Sequence, residues 1–289
     1  MARLGYVGLG IMGGPMARHL ATAKHSMTVY NRTTAKADAW VEQHGGARAL
    51  TPREVAQASD VVLMCVGNDD DVRSVVFGAD GILAGLKAGG ILVDHTTASA
   101  TIAREIADAC AKQGCGFVDA PVSGGQAGAE NGQLTIMCGS NDPANFEAIE
   151  PIIAAYAKRS KLLGTAGSGQ LAKMVNQICI AGIAQGLSEA LNFAMRAGLN
   201  PDDVVDVISK GAAQSWQMEN RAKTMVRDEF EFGFAVEWMR KDLGICFDEA
   251  SRNGAQLPMT EMVDKFYEEV VAMGGKRWDT SSLIARLTD

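Results

Sequence analysis

Up to Gly164 the chain alternates short apolar runs with amphipathic stretches. ARLGYVGLG, SMTVYN, DVVLMCVG, GGILVDHTT, CGFVDAPVS, QLTIMCGS and RSKLLG are β-branched-rich or apolar segments bounded by turn-forming residues. Helical stretches separate most of them, a pattern that predicts a mainly parallel sheet with helices on both faces. Helix starts are marked locally: Thr51, Pro52 and Glu54 spell a capping box with proline at the first helical position, and Asn200 before Pro201 does the same job later. After Gly164 the strand signals stop. The remainder reads as helices over roughly 165–198, 201–210, 215–226, 235–252 and 260–272, with a terminal turn from Thr280. This shift in period divides the chain into residues 1–164, an α/β domain, and 165–289, an all-α domain, with the first long helix joining them. A cleft between a parallel sheet and a helical domain is a common place for a ligand.

That joining helix, TAGSGQLAKMVNQICIAGIAQGLSEALNFAMRAG, is opened by Gly167, Ser168 and Gly169 and closed by Gly198. Apolar residues surround it at Leu171, Met174, Val175, Ile178, Cys179, Ile180, Ile183, Leu187, Leu191 and Phe193, which predicts a spine covered on most sides. Lys173 and Asn176, three apart on nearly one face, do not suit that role. A cation near a helix N-terminus opposes the macrodipole, and a buried ammonium is costly without a partner. Two readings stand: a catalytic pair, or a lysine whose stem lies along apolar surface beside an exposed asparagine.

Composition narrows the function classes. With 289 residues, 47% of them hydrophobic, the chain can bury cores for about two domains. No apolar run reaches the roughly 18 residues of a membrane span and no charged leader precedes the first strand, so the expectation is a cytoplasmic protein without a membrane partner. The net charge of −7, with no basic run carrying interleaved aromatics, argues against nucleic acid as a partner. Cys65, Cys110, Cys115, Cys138, Cys179 and Cys246 are scattered without CxxC pairs or neighbouring histidines, and read as buried thiols rather than metal ligands.

Gly8, Leu9, Gly10, Ile11, Met12 and Gly13 form GLGIMG directly after the first strand and open the first helix. In that context the glycines allow a tight turn, close backbone approach to a pyrophosphate and close helix packing, so the stretch predicts a dinucleotide-binding domain of Rossmann type. About 20 residues on, where NAD-selective domains carry an acid, the chain has Asn31, Arg32, Thr33 and Thr34. Arg32 can pair with a 2′-phosphate, so NADP is the expected cofactor with NAD also admitted; the alternative is an ordinary turn with Thr33 as helix cap. Strand ends at Val66, Gly67 and Asn68, and at His95, Thr96 and Thr97, should complete the cofactor side. His95 invites a role as base, although a single loop histidine is more often structural. In DAPVSGGQAGAENG the amides of Ser123, Gly124 and Gly125 with the serine hydroxyl can form a nest for a carboxylate, or simply a flexible turn. Lys241 and Asp242 sit on an otherwise apolar helix, where a structural ion pair is the simpler reading. No tyrosine has a lysine four positions later, and neither GxxxxGK[ST] nor HExxH occurs.

Together, GLGIMGGPMA, DAPVSGG, GSGQLAKMVNQ around Lys173 and MRKDLG around Lys241 resemble the 3-hydroxyisobutyrate dehydrogenase family of β-hydroxyacid dehydrogenases, in order and spacing over essentially the whole chain. The resemblance implies a Rossmann N-terminal domain, an all-helical C-terminal domain, NAD(P)-dependent interconversion of short β-hydroxyacids and semialdehydes, and a homodimer or homotetramer. It would make Lys173 the general acid/base, Asn176 a substrate-orienting donor, Ser123, Gly124 and Gly125 the carboxylate holders, and Lys241 a contact of cofactor and substrate, with no metal. Relatives often have proline where this chain has Gly67. The competing functions are a reductase of succinic, tartronic or sulfonated semialdehydes, an imine reductase, whose members usually replace the lysine, and a non-catalytic nucleotide-binding scaffold. Gln126, Trp216, Asn220 and Trp238 are candidates to set the substrate.

Overall fold

The computed structural model describes residues 1–288. Two compact units divide within one long helix, at Met1–Lys173 and Met174–Asp289. The expected boundary after Gly164 falls earlier, because the first turns of that helix are fastened to the α/β unit by hydrogen bonds set out below.

The first unit holds β1 (Arg3–Val7), β2 (Ser26–Tyr30), β3 (Ala47–Arg48), β4 (Val61–Met64), β5 (Ile91–Asp94) and β6 (Gly116–Asp119) in one parallel sheet of order β3-β2-β1-β4-β5-β6. This is the strand order of a dinucleotide-binding sheet. Between the strands run α1 (Gly13–Thr22), α2 (Thr34–His44), α3 (Pro52–Gln57), α4 (Asp69–Phe77) and α5 (Ala100–Lys112). Alternation along β4 explains the layers: Leu63 packs on one face with Met16, Leu20 and Trp40, and Val62 and Met64 on the other with Val55, Val72, Ile102 and Ile106. Strands buried on both faces read as continuous apolar runs, as they do here.

One expected strand is two. CGFVDAPVS divides into β6 and β7 (Val122–Ser123), which joins β8 (Leu134–Cys138) and β9 (Ala157–Leu162) in a separate three-stranded sheet. Pro121 lies at the break, where it lacks an N–H to continue the ladder; its carbonyl accepts from Met137 N at 3.1 Å instead. Helices α6 (Gly125–Glu130) and α7 (Pro143–Ile153) complete this region. At the expected capping box, Thr51 Oγ1 accepts from Glu54 N at 3.2 Å, but the Glu54 carboxylate accepts from Leu50 N at 2.7 Å.

The joining helix is α8 (Ser168–Arg196). It ends in a Schellman motif: Gly198, at φ +73°, donates to Met195 O, and Leu199 N donates to Ala194 O. The second unit continues through α9 (Pro201–Ile208), α10 (Trp216–Val226), α11 (Val236–Asn253), α12 (Pro258–Ala272) and α13 (Ala285–Thr288). Ala181 and Ala184 of α8 pack with Met239, Leu243 and Tyr267; Leu187 and Leu191 pack with Met218, Met225 and Ile284.

Two expectations for α8 are corrected. It is not covered on most sides: Val175, Cys179, Ile183 and Phe193, at helical spacing, are exposed. Apolar residues all around a helix are not sufficient for burial when the neighbours contact only part of its circumference. Cys179 is therefore not a buried thiol, and Cys65 is only partly buried. In addition, α8 is by length and composition apolar enough to cross a membrane, alone among the described residues. Its Gln, Asn and Ser residues break up the apolar runs while leaving the mean hydropathy high, and several of them, Gln170, Gln177, Gln185 and Ser188, are buried in this fold.

Candidate active site

The glycine turn after β1 is built for close approach. Gly8 has φ +94°, and a Cβ there would lie 2.2 Å from Cys65 O; a Cβ on Gly13 would lie 1.9 Å from Gly8 O. Neither position admits a side chain. Around Gly10, by contrast, nothing lies within 4 Å of where a Cβ would be, and α1 begins with no side-chain cap. A tight turn below, open space above and a helix N-terminus without a side-chain acceptor fit the pyrophosphate of a dinucleotide. Asn31 fixes this turn from β2: its Oδ1 accepts from Leu9 N at 2.9 Å and its Nδ2 donates to Thr33 O at 3.1 Å. Thr33 precedes α2 without capping it through its side chain. The Arg32 side chain, 86% exposed, lies 3.1 Å from Asp71 Oδ1 at the start of α4. Asp71 has room because residue 67 is glycine; a Cβ there would lie 2.4 Å from Asp71 Oδ2.

At the next strand ends, Val66 N donates to Thr96 Oγ1 at 3.0 Å, and Thr96 N donates to Asp94 Oδ1 at 2.8 Å. His95 is turned away from solvent. Its Nδ1 lies 2.7 Å from Ala120 O and its Nε2 2.8 Å from Tyr156 Oη. A carbonyl only accepts, so the geometry assigns the proton to Nδ1 and leaves Nε2 to accept from Tyr156. Burial lowers the imidazole pKa to about 4, so the ring is neutral and structural.

The first turns of α8 are pinned to these strand ends by two residues the sequence motifs did not single out. Asp119, at the end of β6, accepts from Gly167 N at 2.7 Å and Gln170 N at 2.9 Å. Burial raises its pKa to about 6 against the opposing pull of those amides. Gln170 donates through Nε2 to Thr96 O at 2.8 Å and accepts through Oε1 from Ala98 N at 3.1 Å. The helix runs so close that a Cβ on Gly169 would lie 2.3 Å from Met137 O. Lys173 follows one turn after Gln170 and is buried, 8% exposed. A signal was present in the sequence: Gln170, Lys173 and Gln177 recur at helical spacing on one face of an otherwise apolar helix.

Ser123 is half-buried on β7, while Gly124 (φ +135°) and Gly125 (φ +61°) are exposed at the start of α6. Of the two readings of this stretch, the structure gives a strand and a helix start rather than a loose turn. Beyond Lys173 on α8, Asn176 Nδ2 donates to Gln177 Oε1 at 2.8 Å. On α11, Lys241 Nζ lies 3.1 Å from Asp242 Oδ1 and 5.9 Å from the centre of the Trp238 ring. Among the described residues no cluster of His, Cys, Asp and Glu could hold a metal ion.

Residues 3–167 match the family described as the NAD binding domain of 6-phosphogluconate dehydrogenase, and residues 167–287 that described as NAD-binding of NADP-dependent 3-hydroxyisobutyrate dehydrogenase. The chain belongs to the 3-hydroxyisobutyrate dehydrogenase family of β-hydroxyacid dehydrogenases. Within this dehydrogenase family it is 62% identical to an oxidoreductase of Shewanella frigidimarina over 99% of this chain and 98% of that one. It is 34% identical to the 2-hydroxy-3-oxopropionate reductase of Escherichia coli, over 99% of this chain and 97% of the relative. A solved structure of Mycobacterium tuberculosis 3-hydroxyisobutyrate dehydrogenase with L-serine superposes with a TM-score of 0.90 at 28% identity, covering 100% of both chains. This dehydrogenase is thus an NAD(P)-dependent oxidoreductase whose fold and motifs run the length of its relatives.

Proposed function

We propose that the protein interconverts a short β-hydroxyacid and its semialdehyde, with Lys173 as general acid/base and NADP(H) preferred. The observation that carries this reading is the placement of Lys173. Lys173 is buried and follows by one turn the residue that ties α8 to Thr96 and Ala98, which themselves lie at the carboxyl ends of the strands, where such sheets bind ligands.

A bound nicotinamide would supply the hydride exchange with the carbon that bears the hydroxyl or aldehyde oxygen. Lys173 handles the matching proton. In oxidation its neutral amine takes the hydroxyl proton; in reduction the ammonium polarises the carbonyl and delivers the proton to the new alkoxide. Asn176, one turn on, holds the same oxygen. The Ser123 hydroxyl and the amides at Gly124 and Gly125 hold the carboxylate, and Lys241 serves cofactor and substrate. Arg32 supports NADP by offering a guanidinium to a 2′-phosphate, as does the NADP-dependent description of the family matched by residues 167–287. L-serine, present with the Mycobacterium tuberculosis relative, is itself a β-hydroxyacid. A homodimer or homotetramer is the assembly this reading carries.

Turnover of 3-hydroxyisobutyrate, 2-hydroxy-3-oxopropionate and other β-hydroxyacids and semialdehydes, each with both cofactors, identifies the substrate. With that substrate, Lys173→Ala is expected to lower kcat by about 10²- to 10⁴-fold, the usual contribution of general acid/base catalysis, with cofactor affinity little changed. Near-normal turnover in that variant refutes the assignment.

A further inference from the structure

We propose that Asp242 and Gln177 are positioning residues that set the amide orientation of Asn176, and that Asp242 holds Lys241 with the same carboxylate. The proposal rests on the reading of Asn176 as the group that holds the substrate oxygen.

Four polar groups of the helical unit are linked in series. Asp242, on α11, is 2% exposed. Its Oδ1 lies 3.1 Å from Lys241 Nζ, and its Oδ2 accepts from Gln177 Nε2 at 2.6 Å. Gln177, 1% exposed, has its Nε2 also 4.0 Å from Met239 Sδ, and its Oε1 accepts from Asn176 Nδ2 at 2.8 Å.

Direction in this chain comes from its charged end, which cannot be reversed. The two ends of a primary amide have nearly the same shape and opposite hydrogen-bonding sense, so neither Asn176 nor Gln177 defines its own orientation. An ionised carboxylate only accepts. Asp242 therefore obliges Gln177 to present Nε2, which turns Oε1 toward Asn176, which in turn obliges Asn176 to present Nδ2. One Asn176 N–H is committed to Gln177, and the second remains for a substrate oxygen in a fixed direction. Lys241 places its ammonium 3.1 Å from the other oxygen of the same carboxylate, and charge at one end strengthens each successive bond. Burial of Gln177 and Asp242 keeps water from the middle of the series, where it would otherwise satisfy either amide orientation.

Asp242→Asn disturbs this with minimal change of shape. Its single oxygen can face Lys241 or Gln177 but not both; facing Lys241, it offers Gln177 an N–H and reverses both amides. Gln177→Met removes the middle member and keeps the volume. Each is expected to lower kcat by about 10- to 100-fold, the scale of a misplacement near 1 Å. The test is a double-mutant cycle on kcat, with wild type, Asn176→Ala, Gln177→Met, Asp242→Asn and the two doubles containing Asn176→Ala, assayed with 3-hydroxyisobutyrate and NADP. It is paired with the side-chain amide spectrum of asparagine-labelled protein, which needs no turnover. The expected result is that both substitutions shift or broaden the Asn176 amide signals and lose most of their effect on kcat when Asn176 is already alanine. Additive losses in the cycle, or unchanged Asn176 signals in Gln177→Met, overturn the proposal. If the signals move while Asn176→Ala leaves kcat intact, it is the catalytic reading of Asn176 that fails, and the positioning role in catalysis falls with it. Melting curves of every variant separate loss of fold from loss of orientation.

Discussion

Replacing Asp94 by asparagine should stabilise the protein, and by more the higher the pH. Asp94 ends β5 with no exposed surface; its Oδ1 accepts from Thr96 N, while Oδ2 and the equally buried Tyr6 hydroxyl have no partner. Burial raises its pKa from 3.8 to about 7. A carboxyl whose folded pKa exceeds its unfolded value favours the folded state below about pH 4, and that advantage is lost as pH rises toward 7, because the unfolded chain releases its proton first. A shift of about three pKa units corresponds to roughly 4 kcal/mol at full ionisation, of which about 3 kcal/mol develops between pH 5 and pH 8. Asparagine keeps an oxygen for Thr96 N, offers an N–H toward the unsatisfied side and carries no charge. The Asp94→Asn melting temperature should thus exceed that of wild type by roughly 5–10 °C more at pH 8 than at pH 5, for a unit of this size. Thermal denaturation followed by circular dichroism at the two pH values measures it. An equal shift at both, or destabilisation confined to pH 8, would show that the carboxylate has a partner or is solvated, and the reasoning from burial would be wrong.

Arg32→Asp should weaken NADPH binding more than NADH binding in fluorescence titrations, and Asp71→Asn, by releasing Arg32 from its ion pair, should strengthen NADPH binding a few-fold, the scale of an exposed ion pair; equal effects on both cofactors would count against the 2′-phosphate contact. Gly13→Ala, which drives a methyl into Gly8 O, should abolish cofactor binding and lower the melting temperature, and an alanine variant that binds normally would mean the turn has more slack than its 1.9 Å approach allows. The His95 ring signals should not titrate between about pH 5.5 and 9, since the folded pKa is about 4; a midpoint near 6.5 would place the ring in water.

Much of the fold was legible because its signals are local. GLGIMG after β1, the caps at Thr51 and Asn200 and the glycine at 198 each follow from backbone geometry within a few residues. Ala47–Arg48 was not legible: a two-residue exposed strand has no period. The separate β7-β8-β9 sheet depends on which strands meet after Pro121, a long-range choice that composition does not encode. Within the site, Lys173 stood out as a charge on an apolar helix. The pairing of Lys241 with Asp242 was also expected from their place on an apolar helix. Gln170 and Gln177 were not assigned roles, because a glutamine looks alike on a solvated face and in a buried hydrogen-bonded series, and only the partners Thr96, Ala98 and Asp242 distinguish the two.

The glycine at position 67 has a bearing on attempts to alter the nucleotide preference of this enzyme. Any larger residue introduced there evicts the Asp71 carboxylate and, with it, the restraint on Arg32. Positions 67, 71 and 32 are consequently coupled through one side chain, that of Asp71. A larger residue placed at 67 without redesigning its two companions is expected to disturb the contact proposed between Arg32 and a 2′-phosphate, and libraries meant to retune nucleotide choice should vary all three at once.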